Sequence, residues 1–215
     1  MLLIRNTTLI DMAGRFKERA DVLIDGGRFA KIGQYLEKKE GYEIIDAAGR
    51  LVTPGFIESH SHMGLMDSAG QDINEKTGPI RPALRALDAI DFHSPDFDAA
   101  LSHGVTTLAI GPGSSNLIGG TFAAVKSGGD SIAKRIVKEE LCMKMALGEN
   151  PKGNYGPQGK MPGTRMGSAA LIRTALYKAR DYREKWIRHQ EKLKNGEESS
   201  FTFDLELHSL MRVFD

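Results

Sequence analysis

A single cysteine stands in 215 residues. Cys142 therefore has no partner for an internal disulfide, which fits a reducing, cytoplasmic setting, and within its apolar segment it reads as a small buried hydrophobe. Charge of one sign is also lacking. The 29 Lys and Arg against 28 Asp and Glu leave a formal +1, so nothing points to nucleic acid or to an anionic membrane as a partner. No uncharged apolar run approaches the roughly 20 residues that a bilayer-crossing helix needs. The opening Met1-Leu2-Leu3-Ile4-Arg5-Asn6 meets a charge too early for a secretory signal. The ordinary hydrophobic (40%) and charged (27%) fractions allow one sizeable core, or one core beside a small accessory domain.

The pattern changes along the chain. Residues 1–52 show short β-rich runs, and Asp25-Gly26-Gly27 between two of them is a hairpin signal, because glycine reaches the positive φ of a tight turn. This predicts a small β domain. Residues 53–215 predict strands at 56–62, 105–110 and 141–147, with helical stretches at 95–103 and 131–140 between them. That alternation implies a parallel sheet with crossover helices. Thr164 caps a long helical stretch to about Lys194, stopped by Asn195-Gly196, and a shorter amphipathic helix covers 204–214.

Chemistry concentrates at the end of the first of these strands. Pro54-Gly55 marks its start, and His60-Ser61-His62 closes it. Side chains two apart on a strand share a face, so both imidazoles can converge on one divalent ion, zinc being the metal that such ligands suit. A catalytic zinc usually takes three protein ligands and a water, so a further ligand is required. Glu149, placed by alternation on the face of Met143, Met145 and Leu147, is the candidate, with a residue that merely enters the turn at Asn150-Pro151 as the alternative. Lys144 is expected on the opposite face. Glu58, one step deeper than the histidines, can accept a ring N–H, or can form a structural ion pair. The loop residue Asp67 has no assigned role.

Gly111-Pro112-Gly113-Ser114-Ser115-Asn116-Leu117-Ile118-Gly119-Gly120 reads as a loop after the second strand. Ser115, Asn116 and Gly119 are candidate substrate contacts there, as is Arg165, whose forked guanidinium can grip a carboxylate. A nucleotide-binding reading of the glycines lacks a Gly-Lys-Ser/Thr ending, and Asn116 stands where a dinucleotide fingerprint needs its third glycine. The charged 173–194 stretch reads as a solvated helix face, with Asp181/Lys185 and Glu184/Arg188 spaced for surface pairs.

The run Val52-Thr53-Pro54-Gly55-Phe56-Ile57-Glu58-Ser59-His60-Ser61-His62-Met63-Gly64-Leu65 resembles the His-x-His signature of the metal-dependent amidohydrolase superfamily, in particular its imidazolonepropionase-related and prolidase-like members. Residues 21–33, Gly104-Val105-Thr106-Thr107 and Gly148-Glu149-Asn150-Pro151-Lys152 are similar to further stretches of the same family, in the same order. The resemblance implies a (β/α)8 TIM-type barrel, of which about the first three βα units are present, preceded by part of a composite β-sandwich. It implies zinc-dependent hydrolysis of amide or cyclic-amide C–N bonds, with a glutamate ending the third strand as metal ligand, carried here onto Glu149. The family's later histidine ligands and its aspartate acid-base have no counterpart in this sequence, so the chain is expected to be a fragment, inactive alone. Self-association or pairing with a complementary carboxyl-terminal chain is expected to cover its open sheet. Two other readings compete with a truncated hydrolase: a non-catalytic metal-binding or interaction remnant, and a glycine-loop nucleotide binder.

Overall fold

The computed structural model describes residues 1–11, 13–66 and 71–214, so Asp67 lies outside the described residues. They divide into two compact units, Met1–Gly55 and Phe56–Asp215.

The first unit is a five-stranded sheet. Strand β1 (Leu2–Ile10) pairs antiparallel with β2 (Phe16–Asp25), which turns back into β3 (Arg28–Gly33). The reversal falls at Gly26 and Gly27, both at positive φ (53° and 73°), as the sequence predicts for this hairpin. Strands β4 (Glu43–Asp46) and β5 (Leu51–Val52) lie parallel to β1. Leu3, Ala20 and Val22 are buried, and the buried Asp21 carboxylate accepts the backbone N–H groups of Asn6 (3.1 Å) and Leu36 (2.8 Å).

The second unit carries a four-stranded sheet in the order β6-β7-β8-β9: β6 (Phe56–Ser61), β7 (Val105–Ile110), β8 (Ile118–Lys126) and β9 (Ile136–Met145). Only β6 and β7 run parallel, and the other two pairings are antiparallel. The three parallel strands predicted from sequence reduce to one parallel pair, for a geometric reason. A parallel return needs a crossover of about a dozen residues or more, and the 111–117 connection only allows the chain to fold back on itself. β9 also begins within the stretch predicted as helix, leaving α2 (Ile132–Arg135) as a single turn between β8 and β9.

Both faces of the two inner strands are packed. Leu108, Ile110, Ala123 and Val125 meet Leu65, Phe92 and Phe97, the last from α1 (Asp96–Ser102). Ile118 meets Ala175 and Ala179 of α4 (Arg165–Lys194) and Leu210 of α5 (Leu205–Met211). The Thr164 hydroxyl accepts from Gly167 N–H to cap α4, as the sequence signals, and the Asp204 carboxylate accepts from Leu207 N–H to cap α5.

The corner between β8 and β9 is held by Arg135. Its guanidinium lies over the Phe97 and Phe92 rings (4.4 and 5.0 Å to the centroids) and donates to the carbonyls of Lys126, Phe92 and Ser127. Cys142, expected inside, is exposed on β9, an outer strand. Among the described residues no helix is long and apolar enough to cross a membrane.

Candidate metal and substrate site

The register between β6 and β7 is irregular between Glu58 and Ser61. There the His60 backbone N–H is donated to Glu58 Oε1 (2.9 Å). Glu58 is thus occupied by a local backbone bond and does not orient an imidazole, against the sequence-based expectation. Interrupted pairing of this kind re-aims side chains beside functional sites. Here it leaves the His60 and His62 rings edge to face with centroids 5.1 Å apart.

Each ring is held from a different side. His62 Nδ1 lies 2.7 Å from the Gly111 carbonyl. A carbonyl only accepts, so the ring proton sits on Nδ1 and, in the neutral ring, the lone pair is on Nε2. Gly111 N–H in turn donates to Ser61 O (3.0 Å). A side chain at position 111 would meet the Phe122 ring at 2.3 Å, so glycine is required for this close approach. The same Phe122 ring packs edge-on against His60 (5.6 Å).

Sequence reasoning missed the fourth member of the cluster. Lys144 of β9 is buried, and its Nζ lies 3.4 Å from His60 Nε2 and 5.7 Å from the Phe122 centroid. The signal was available: a lone cation in the apolar run Leu141-Cys142-Met143-Lys144-Met145 has to be accommodated somewhere. Desolvation holds the Lys144 amine below its ordinary value. Desolvation also lowers His60, helped by the charge of Lys144 and by His62 and opposed by Glu58. Desolvation and the Lys144 charge both favour the neutral imidazole, the form that metals bind.

The predicted third ligand is elsewhere. Strand β9 ends at Met145, and Glu149 opens α3 (Glu149–Tyr155), with its side chain 87% exposed and paired to Lys152 at 2.7 Å. A carboxylate in the first turn of a helix is favoured by the backbone dipoles and by an i,i+3 lysine. Among the described residues, no three His, Cys, Asp or Glu side chains gather as a metal cage. The donor set thus fits a divalent ion in part: two imidazoles converge, with Lys144 beside them where a carboxylate was expected.

The predicted substrate contacts also separate. Asn116 is buried, its Nδ2 donating to Glu75 O (2.7 Å) and its Oδ1 accepting from the buried Tyr155 hydroxyl (2.5 Å). It is a tie between α3 and the connections flanking the histidines rather than a ligand contact. The Ser115 backbone N–H is donated to Asn74 Oδ1 (3.0 Å), and Arg165 is exposed at the start of α4. Gly119 lies in β8, where a Cβ would come 3.7 Å from Lys144, and it lines a cavity of about 310 Å³ with Pro112, Asn74 and Leu84. The glycine-rich segment leads into β8 and not into a helix, so it lacks the helix N-terminus on which nucleotide-binding loops rely.

Comparison with known proteins bears on the family. No protein-family model matches the chain. An amidohydrolase from Thermotoga maritima has a solved structure that superimposes with a TM-score of 0.84 at 36% identity, covering 99% of this chain and 55% of that one. Amidohydrolase tasK of Hapsidospora irregularis is 33% identical over 180 residues, 74% of this chain and 18% of the relative. Dihydropyrimidinase 2 of Caenorhabditis elegans is 42% identical over 107 residues, 50% of this chain and 17% of the relative. The chain belongs to the amidohydrolases, enzymes that act on C–N bonds. It spans about half of the solved relative and less than a fifth of these two curated ones.

Proposed function

We propose that this chain contributes the first metal-ligating pair of an amidohydrolase that cleaves amide or cyclic-amide C–N bonds in a small molecule, with His60 and His62 as ligands to zinc. The observation that carries this reading is the pair of imidazoles meeting at the end of β6, next to the parallel β7. The likeness to a dihydropyrimidinase points to cyclic amides as the substrate class.

A divalent ion held by His60 and His62 would supply Lewis-acid polarisation of the scissile carbonyl and a water acidified toward pKa ~7. The chain's own residues prepare for it. Gly111 fixes the His62 tautomer that leaves Nε2 free to bind. Phe122 shields one side of His60 from water, and the Lys144 amine, now on His60 Nε2, has to turn away before that nitrogen can ligate. Gly119, beside Lys144, lines the cavity through which a substrate can approach. A base within reach of the water is also needed. Turnover is therefore assigned to the amidohydrolase of which this chain spans a part, and the 215 residues alone are expected to bind metal without appreciable hydrolysis.

Titration of the metal-free chain with zinc, followed by calorimetry, tests the assignment. One site is expected, weakened about tenfold or more by His60→Ala and by His62→Ala alike. Unchanged zinc affinity in both variants would remove the pair from any metal site.

A further inference from the structure

On the far part of the second unit, α4 and the 199–204 segment enclose a groove of about 510 Å³ that the amidohydrolase reading does not use. Its wall is built. Phe201 stacks on the His189 ring (5.0 Å, 17°) and meets Trp186 and Tyr182 edge to face, while His189 Nδ1 lies 2.9 Å from the Ser199 hydroxyl. These contacts hold the segment at a fixed distance from one flank of α4.

That flank is cationic. Lys185, Arg188 and Lys192 follow one another at i,i+3 and i,i+4 spacing and all line the groove, with the Ser200 and Thr202 side of the segment opposite. The surface pairs expected from spacing, Asp181 with Lys185 and Glu184 with Arg188, do not form, and among the described residues none of the three cations has an ion-pair partner. The one carboxylate on the lining, Asp204, accepts the Leu207 N–H at the start of α5. Like charges at these spacings repel one another along a helix. An oxyanion seated between them removes that repulsion and gains several charge-assisted hydrogen bonds.

We propose that this groove is a binding site for a phosphate-bearing small molecule. Lys185, Arg188 and Lys192 carry the phosphate charge, and hydroxyl groups of the 199–202 segment donate to its oxygens. The enclosed volume suits a compact organic phosphate, and the fixed aromatic wall beside it offers a stacking or packing face for the rest of the ligand.

The test uses the full chain with inorganic phosphate and pyrophosphate as probes, titrated by calorimetry at constant ionic strength, with chloride as the matched control. Saturable binding is expected, tighter for pyrophosphate, and weakened about tenfold or more by a combined Arg188→Ala and Lys192→Ala change, a loss of two charge-assisted contacts. Lys192→Arg keeps the charge and retains binding. All three positions are exposed, so an unaltered melting curve for the variants separates lost binding from lost folding. Heat that chloride reproduces, or affinity unchanged in the double variant, overturns the proposal. Sedimentation with phosphatidylglycerol vesicles, in the absence of pyrophosphate binding, also overturns it and assigns the charge to a lipid surface.

Discussion

The inner and outer strands of the four-stranded sheet are built from similar residues and serve different ends. In β7 and β8 almost every side chain from Leu108 to Ile110 and from Ile118 to Val125 is buried, and those strands carry the core. In β6 and β9 most side chains are exposed, including Phe56, Ile57, Val137 and Leu141, and each strand has one neighbour. Yet His60 and Lys144, the titratable groups in contact, come from the two outer strands and meet across the Phe122 ring of an inner one. The difference teaches that the middle of the sheet supplies rigidity and a hydrophobic floor, while its margins supply the chemistry.

Five substitutions probe this division. The largest effect is expected at Leu108→Ala, which empties a fully buried position of β7 and costs about 3 kcal/mol, whereas Ile57→Ala on β6, 68% exposed, changes stability by less than about 0.5 kcal/mol. Urea midpoints for the two variants decide it, and equal losses would mean that β6 is packed as firmly as β7.

A middle-sized effect is expected at the buried Asn116–Tyr155 tie. Tyr155→Phe leaves Asn116 Oδ1 without its donor and should cost about 1–2 kcal/mol, while Glu58→Ala, which removes an exposed bond to the His60 backbone, should cost about 0.5 kcal/mol or less. The same denaturation curves read both, and a harmless Tyr155→Phe would show that the tie does not brace the connection.

The remaining effect, smaller than those at Leu108 and Tyr155, has the opposite sign. Lys144→Met replaces a desolvated cation by an apolar chain of similar length and should raise stability at neutral pH by about 1 kcal/mol. Between the lowered folded value and the ordinary value near 10.5, the unfolded chain binds the proton that the folded chain has released, so the native protein gains stability as pH rises through that window. The advantage of the variant should therefore shrink from pH 7 to pH 10 in thermal melts; an advantage that stays constant would mean that Lys144 is not desolvated.

Local signals carried much of this architecture in the sequence. The Asp25-Gly26-Gly27 turn, the Thr164 cap, the helices within 95–103 and 204–214 and the His60/His62 pair all depend on short-range rules of turn geometry, capping, helical periodicity and strand alternation. What those rules missed depends on pairing partners. Ile118-Gly119-Gly120-Thr121 looks like a loop because glycine is a poor strand residue, yet β8 is the most buried strand, and Gly120 is needed because a Cβ there would meet the Leu84 carbonyl at 2.3 Å. Once β8 folds back, β9 runs antiparallel to it and Lys144, not Glu149, reaches His60. The likeness to amidohydrolases supplied the family, but not this exchange of a carboxylate for an amine.

The Arg135 corner has a consequence for robustness. Among the described residues the guanidinium forms no close ion pair, Asp98 attracting it only from a distance, and its positive charge is spread over three carbonyl dipoles and two ring faces, none of which titrates in mild acid or is easily displaced by salt. The bend that launches β9, and with it the alignment that carries Lys144 to the imidazoles, is thereby insulated from the ionic conditions that loosen ordinary ion pairs.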